Sequence, residues 1–322
     1  MATPSPSPVG RLAPSPTGDL HLGHARSFLI AWWHARSRGG RIVLRLEDLD
    51  GERAAPKYLD GVRRDLTWLG LDWDGPAYVQ STGLRRLVEK AHELAASGNA
   101  YACVCSRKEV QNALSAPHAH EHGPPYPRTC AGKYPNLEAA ELQTGKPAGL
   151  RFRSPDVVVE FADEICGSFT EHLAQTAGDF LILRRDKLPA YQLAVVVDDA
   201  EQGVTEVVRG DDLLASTPRQ IALGRALGYR QPSYFHVPLV LDAEGKRLAK
   251  REHSLSLARL RELGADPRSV VVWALASCGF AVDERVTAAD GCNIFSMERL
   301  KREPVIVTEN SLTSLVLRRS TD

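Results

Sequence analysis

The chain has 322 residues, 43% hydrophobic and 25% charged, enough for one large domain or two smaller ones with a real core. Its 40 lysines and arginines balance 40 aspartates and glutamates, which argues against a broad non-specific nucleic-acid surface but leaves room for a local basic face. No apolar run reaches bilayer length, and the Ser/Pro-rich start at 1–8 has neither a basic head nor an apolar stretch. The reading is a cytoplasmic protein with a flexible N-terminal arm and no membrane partner.

Residues 9–13 read as a short strand, followed by the turn Pro14-Ser15-Pro16-Thr17-Gly18. A helix is predicted over 23–38, with Phe28, Leu29, Trp32 and Trp33 as its buried side, ended by Gly39-Gly40. A second strand covers 41–46, and helical patterns follow at 56–69 and 82–97. That alternation predicts an α/β fold, a doubly wound parallel sheet covered by helices. The stretch 103–149 breaks the rhythm, being rich in His, Pro and Gly, and β-rich segments follow near 150–153 and 157–161. The pattern then resumes with a strand at 180–183, a helix at 191–200, a strand at 204–209 and a helix at 217–227. Two helical segments, 255–263 and 267–278, follow the apolar run at 239–241. The expected organisation is an arm at 1–8, catalytic halves at 9–102 and 178–240, an inserted subdomain at 103–177, and a loop with a short helical segment at 241–280. The tail at 281–322 carries no assignable periodicity.

The most informative stretch runs from Pro14 through His21-Leu22-Gly23-His24. A proline-stiffened turn feeds a helix start, where free backbone N–H groups suit an anion. Gly23 admits a ligand close to the backbone. His21 and His24, three apart, can both lean over one turn and donate to phosphate oxygens. That arrangement stabilises charge growing on a phosphate. Neither a G-x-G-x-x-G nor a G-x-x-x-x-G-K-[ST] pattern is present to explain a phosphate site otherwise. Of the six cysteines, Cys103, Cys105 and Cys130 cluster, and reduced thiols at that spacing favour a metal over disulfides. Zinc takes four ligands, and ordinary zinc chemistry makes His118, His120 or His122 the fourth.

The run Arg11-Leu12-Ala13-Pro14-Ser15-Pro16-Thr17-Gly18, with His21-Leu22-Gly23-His24 and Arg45-Leu46-Glu47-Asp48-Leu49-Asp50, resembles the glutamyl branch of the class I tRNA synthetases. Downstream, Gly245-Lys246-Arg247-Leu248-Ala249-Lys250-Arg251 is similar to the mobile lysine loop of that class, with Arg247 in place of the first lysine and Ala249 in place of a serine. The resemblance implies a Rossmann-like class I catalytic core with a zinc-containing insertion and a short helical C-terminal segment. It assigns ATP to His21, Gly23, His24 and Lys250, with His21, His24 and Lys250 catalytic and Mg2+ accompanying ATP. Glutamate falls to Arg11, Leu12, Ala13, Pro14, Ser15, Glu47, Tyr191 and Arg209. Arg11 would meet a carboxylate, Glu47 the ammonium, and Tyr191 and Arg209 the remaining polar groups. For the metal it favours Tyr126 as partner of Cys103, Cys105 and Cys130, holding one structural zinc; the segment between Cys105 and Tyr126 is longer than usual and carries the extra histidines.

With the chain ending soon after the lysine-loop region, the resemblance narrows to a subfamily without an anticodon-reading domain. Its members activate L-glutamate with ATP, without tRNA, and attach it to the queuosine base in the anticodon of tRNA(Asp). A monomeric ligase is expected. The rival readings are a truncated synthetase charging the 3′ end of tRNA(Glu), a nucleotidyltransferase acting on another small acid, and a catalytically weakened tRNA-binding paralogue.

Overall fold

A computed structural model describes residues 7–49, 56–106, 108–110, 125–248, 256–283, 285–308 and 315. Strand β1 (Val9–Leu12) leads through the proline turn into helix α1 (Leu22–Arg36), which crosses over to β2 (Arg41–Leu46). β1 and β2 pair in parallel, Val9 opposite Arg41 and Leu12 opposite Leu44. Helix α2 (Pro56–Trp68) follows, and β3 (Tyr78–Val79) adds a third parallel strand beside β2. A 3-10 turn at Gln80–Gly83 opens α3 (Leu84–Ala96). The chain then builds β4 (Ala100–Cys103), α4 (Leu137–Thr144) and β5 (Gly149–Phe152), then β6 (Val158–Asp163), β7 (Gly167–His172), the short α5 (Leu173–Thr176) and β8 (Phe180–Leu183). The doubly wound pattern returns with α6 (Tyr191–Glu201), β9 (Glu206–Gly210), α7 (Thr217–Ala226), β10 (Ser233–Val237) and β11 (Val240–Leu241). Helices α8 (Leu257–Glu262), α9 (Pro267–Ser277) and α10 (Ala288–Ile294) and strand β12 (Val305–Ile306) complete the described chain.

Two half-sheets make the parallel platform. One runs β1-β2-β3, the other β7-β6-β10-β9, with β10 parallel to both β6 and β9. They meet at β1 and β9: the Thr205 amide donates to the Val9 carbonyl at 2.9 Å, and the Val9 amide donates to Thr205 Oγ1 at 2.9 Å. The C-terminal ends of β1, β2, β9 and β10 therefore share one edge, where α/β sheets open their binding crevice. A separate antiparallel sheet, β4-β5-β8, carries the cysteine segment. The residues of β6 and β7, grouped with the insertion in the sequence reading, instead pair with β10 and extend the main sheet. The alternation Val-Val-Glu-Phe-Ala-Asp buries Val159, Phe161 and Asp163 on one face, and the long-range pairing with β10 decides which sheet that face serves.

The predicted one-sided burial of α1 is corrected. Leu22, Ala25, Leu29, Ile30, Ala31, Trp32, Trp33 and Ala35 are all buried, while Phe28 is only half-buried. The helix has the sheet on one side and α9 and α10 on the other, so apolar residues occupy its whole circumference. The tail, unassigned from sequence, supplies α10, and β12 pairs with β11, both packing onto that central helix. Among the described residues no helix is long and apolar enough to cross a membrane. Trp33 is fully buried, its indole N–H donates to the Ala288 carbonyl at 2.9 Å, and its ring meets Phe295 at 5.5 Å. Trp33→Ala is expected to cost about 3–5 kcal/mol, read as a lowered denaturant midpoint at unchanged slope; an unchanged midpoint would show that α10 is not held by this ring.

Candidate active site

Helix α1 starts at the crevice edge with an unusual cap. His21 is its N-cap, and His21 Nδ1 accepts from the Gly23 amide at 3.1 Å. His24 Nδ1 accepts from the His21 amide at 3.2 Å, closing a reciprocal capping box. A neutral imidazole that accepts at Nδ1 carries its proton on Nε2. The two rings, 3.8 Å apart between centroids, are thus set as donors at a helix N-terminus, where backbone amides and the dipole already favour an anion. A Cβ on Gly23 would lie 3.0 Å from His21 Cε1 and 3.1 Å from Nδ1, so a side chain there would displace the capping ring. The residues just beyond the lysine-loop segment reach the same end, and the described part of the segment reaches Asp212. The Leu257 amide donates to the Leu20 carbonyl at 2.7 Å, and Arg247 Nη1 pairs with the Asp212 carboxylate. Lys250 itself, with Ala249 and Arg251, lies outside the described residues.

Beside this end, a buried charge network joins the two half-sheets. Arg45 of β2 is fully buried; its Nη1 donates to Asp199 of α6 at 2.7 Å and to Gln202 at 2.9 Å. Its Nε and Nη2 donate to Glu47 Oε1 at 3.2 and 3.1 Å. Burial opposes charge on Arg45, but Asp199 and Glu47 outweigh it and hold its pKa above the usual value. Arg11 of β1 lies 3.6 Å from Asp199, donates from Nη1 to the Val208 carbonyl at 2.7 Å, and has a buried Nε with no hydrogen-bond partner among the described residues. Burial pushes the Arg11 pKa down against the pull of Asp199, and it pushes the Glu47 carboxyl up against the pull of Arg45.

Arg209 of β9 completes the wall. Its Nε donates to His236 Nε2 at 3.0 Å and its Nη2 to Thr217 Oγ1 at 2.8 Å, while its buried Nη1 has no partner among the described residues. Tyr191, the first residue of α6, is 41% exposed and electrostatically coupled to Glu47, Arg209 and Arg11. Four of the sequence-predicted glutamate residues, Arg11, Glu47, Tyr191 and Arg209, therefore converge. Leu12 and Pro14 are buried beneath them, Ala13 is half-buried and Ser15 exposed, and the Pro14 carbonyl accepts from the Glu47 amide at 3.0 Å. Two guanidinium groups with unfilled N–H positions beside one carboxylate can take a carboxylate and an ammonium together. Sequence reasoning missed Arg45, Asp199, Asp163, His236 and Thr217. The available signal was charge inside apolar runs, as in Val195-Val196-Val197-Asp198-Asp199 and Tyr234-Phe235-His236-Val237.

The cysteine cluster sits in the antiparallel unit, away from this network. The sulfurs of Cys103, Cys105 and Cys130 lie within 4.8 Å of one another, with Cys105 and Cys130 at 3.5 Å. The Tyr126 hydroxyl is 3.4 Å from Cys103 Sγ and 3.3 Å from Cys105 Sγ. Tetrahedral zinc, with Zn–S about 2.3 Å and Zn–O about 2.0 Å, needs sulfur–sulfur edges of about 3.8 Å and sulfur–oxygen edges of about 3.5 Å. The Cys105–Cys130, Tyr126–Cys103 and Tyr126–Cys105 separations lie close to those edges. His118, His120 and His122 lie outside the described residues.

The family model of the catalytic domain of class I tRNA synthetases (E and Q) matches residues 9–315, and the chain belongs to that family. It is similar over nearly its whole length to the glutamyl-Q tRNA(Asp) synthetase of Nitratidesulfovibrio vulgaris, 42% identical over 95% of this chain and 97% of that one. The glutamyl-Q tRNA(Asp) synthetase of Symbiobacterium thermophilum is 44% identical over 95% of this chain and 98% of its own. Among solved structures, a glutamate tRNA ligase from Elizabethkingia meningosepticum in complex with its amino acid superposes with a TM-score of 0.80 at 26% identity, covering 95% of this chain and 68% of that one.

The network makes a direct stability claim. Arg45→Met removes the cation shared by Asp199 and Glu47, leaving Glu47 without its hydrogen-bonded cation and Asp199 with Arg11 at 3.6 Å, a loss of about 3–5 kcal/mol. Chemical denaturation measures it; a variant as stable as the parent would show that the network is not under electrostatic tension.

Proposed function

We propose that this chain activates L-glutamate with ATP and Mg2+, without tRNA, and transfers it to the queuosine base in the anticodon of tRNA(Asp). The observation that carries the reading is the pair of buried guanidinium groups, Arg11 and Arg209, in one electrostatic group with Tyr191 and Glu47: Arg11 Nε lies 3.6 Å from Asp199 without a hydrogen bond, and Arg209 Nη1 has no partner among the described residues. A dicarboxylic amino acid supplies what that wall lacks. The names borne by the relatives support the acceptor.

In this reading the side-chain carboxylate docks on the arginines and the ammonium on Glu47, which fixes the α-carboxylate toward the start of α1. One oxygen of that carboxylate attacks the α-phosphorus of ATP, the bond to the β-phosphate oxygen breaks, and glutamyl-adenylate and pyrophosphate form. His21 and His24 donate to the phosphate oxygens as charge grows there, and Lys250 neutralises the leaving pyrophosphate. A hydroxyl of the queuosine cyclopentene ring then attacks the activated carbonyl, loses its proton, and AMP leaves. No nucleophilic side chain is needed, so positioning and charge stabilisation carry the chemistry. Glutamate-dependent ATP–pyrophosphate exchange in the absence of tRNA tests the first step, followed by labelled glutamate offered to tRNA(Asp) bearing queuosine and to tRNA(Glu). Exchange without tRNA and labelling of tRNA(Asp) are expected; exchange that appears only with tRNA(Glu) would overturn the reading.

Cys103, Cys105, Cys130 and Tyr126 are assigned one structural zinc, which supplies a covalent brace where the insertion is too small for a core of its own. Tyr126 fills the fourth position because its hydroxyl already lies within reach of two of the sulfurs. Metal analysis is expected to give one zinc per chain, lost in Cys105→Ser and weakened by about 10- to 100-fold in Tyr126→Phe. Undiminished affinity in Tyr126→Phe would return the fourth position to a histidine.

A further inference from the structure

Behind Arg209 stands a second line of buried polar groups, joined to the crevice through Arg209 itself. His236 of β10 is the registered neighbour of Arg209, and Asp163 closes β6 on the other side of the same strand. Both side chains are fully buried. His236 Nδ1 lies 2.6 Å from Asp163 Oδ2, and His236 Nε2 lies 3.0 Å from Arg209 Nε. An arginine Nε can only donate, so Nε2 accepts and the imidazole proton sits on Nδ1, directed at the carboxylate. The histidine tautomer is thereby fixed from both ends.

We propose that Asp163 and His236 are positioning residues that aim the Arg209 fork at the substrate carboxylate. The inference rests on the assignment of glutamate to this site. Arg209 has three anchored directions: Nε on His236, and Nη2 on Thr217 Oγ1 at 2.8 Å and, at 3.5 Å, on the Leu213 carbonyl. Nη1 is what remains to meet a ligand. The groups facing His236 are Asp163 from β6, Arg209 from β9 and Thr217 from α7, with Tyr234 of its own strand stacked at 6.1 Å between ring centroids and Arg11 from β1 in electrostatic range. Burial, joined by Arg209 and Arg11, pushes His236 down, while Asp163 pulls it up. A neutral ring keeps the lone pair on Nε2 that Arg209 requires.

Asp163 also explains why the arrangement can be tested without unfolding. Its Oδ1 accepts from the Ile165 amide at 3.0 Å and the Cys166 amide at 2.8 Å, which turns the chain out of β6. In Asp163→Asn those two amides keep the oxygen of the new amide at the Oδ1 position. Its NH2 then falls at the Oδ2 position and donates to His236 Nδ1. The histidine proton moves to Nε2, where it opposes the N–H of Arg209. The turn survives and the aim of Arg209 does not.

The test is glutamate- and ATP-dependent pyrophosphate exchange on wild-type protein and on Asp163→Asn, His236→Leu and His236→Gln, together with nitrogen-15 NMR of the His236 ring. Asp163→Asn and His236→Leu are expected to raise KM for glutamate about 10- to 100-fold at unchanged KM for ATP. In Asp163→Asn the ring signals switch from the Nδ1–H to the Nε2–H tautomer. His236→Gln, which keeps one acceptor and one donor, is expected to restore most of the glutamate affinity lost in His236→Leu. An unaltered KM for glutamate in Asp163→Asn with the tautomer switched would overturn the proposal. So would equal rises in both KM values, the mark of a merely structural role. No exchange in the wild-type protein would instead sink the glutamate assignment, a separate and visible failure.

Discussion

The buried ion network centred on Arg45 and Asp199 is the constraint on which the rest of the molecule depends. Arg45 is the penultimate residue of β2 in one half-sheet, Asp199 lies near the end of α6, which leads into β9 of the other, and their contact is 2.7 Å. The Val9–Thr205 contacts and the Arg11 hydrogen bond to the Val208 carbonyl also join the two half-sheets. A charge pair removed from water repays its desolvation only when geometry is good and every member has partners. Here Arg45 meets Asp199, Gln202 and Glu47 at once; it holds Glu47 directly, and Asp199 in turn pairs with Arg11. The network therefore orders the crevice before any ligand arrives, which is what a reaction carried by positioning requires.

The two ends of the crevice use different physics for the same purpose. At the start of α1 the helix itself supplies amides and dipole, and the His21–His24 capping box sets both rings as donors. At the arginine wall guanidinium groups are fixed instead by carbonyls, a hydroxyl and a histidine behind them. The cysteine cluster is independent of both. It brings Cys130 beside Cys103, the last residue of β4, and Cys105 just after it.

Much of this was legible in the sequence because the relevant signals are local. The proline turn, Gly23 and paired histidines specify the helix start, and the alternation of strands and helices specifies the parallel sheet. The spacing of Cys103, Cys105 and Cys130 brought them together as expected. What escaped detection was set by long-range packing. Nothing local in Val158–Asp163 says that it joins β10 rather than the insertion, and the all-round burial of α1 depends on a tail whose own pattern is weak. Asp163, His236 and Arg45 each look like isolated charges in apolar strands until the register places them side by side.

The central claim is that Arg11, Glu47 and Arg209 form a preset receptor for glutamate beside a phosphate-binding helix start. A crystal structure with a non-hydrolysable glutamyl-adenylate analogue tests it most directly. The account predicts the side-chain carboxylate within hydrogen-bond distance of the open N–H groups of Arg11 and Arg209, the ammonium on Glu47, and the phosphate mimic against His21 and His24. An analogue bound with its carboxylate away from both arginines, while the Arg45–Asp199 contact stays intact, would contradict it.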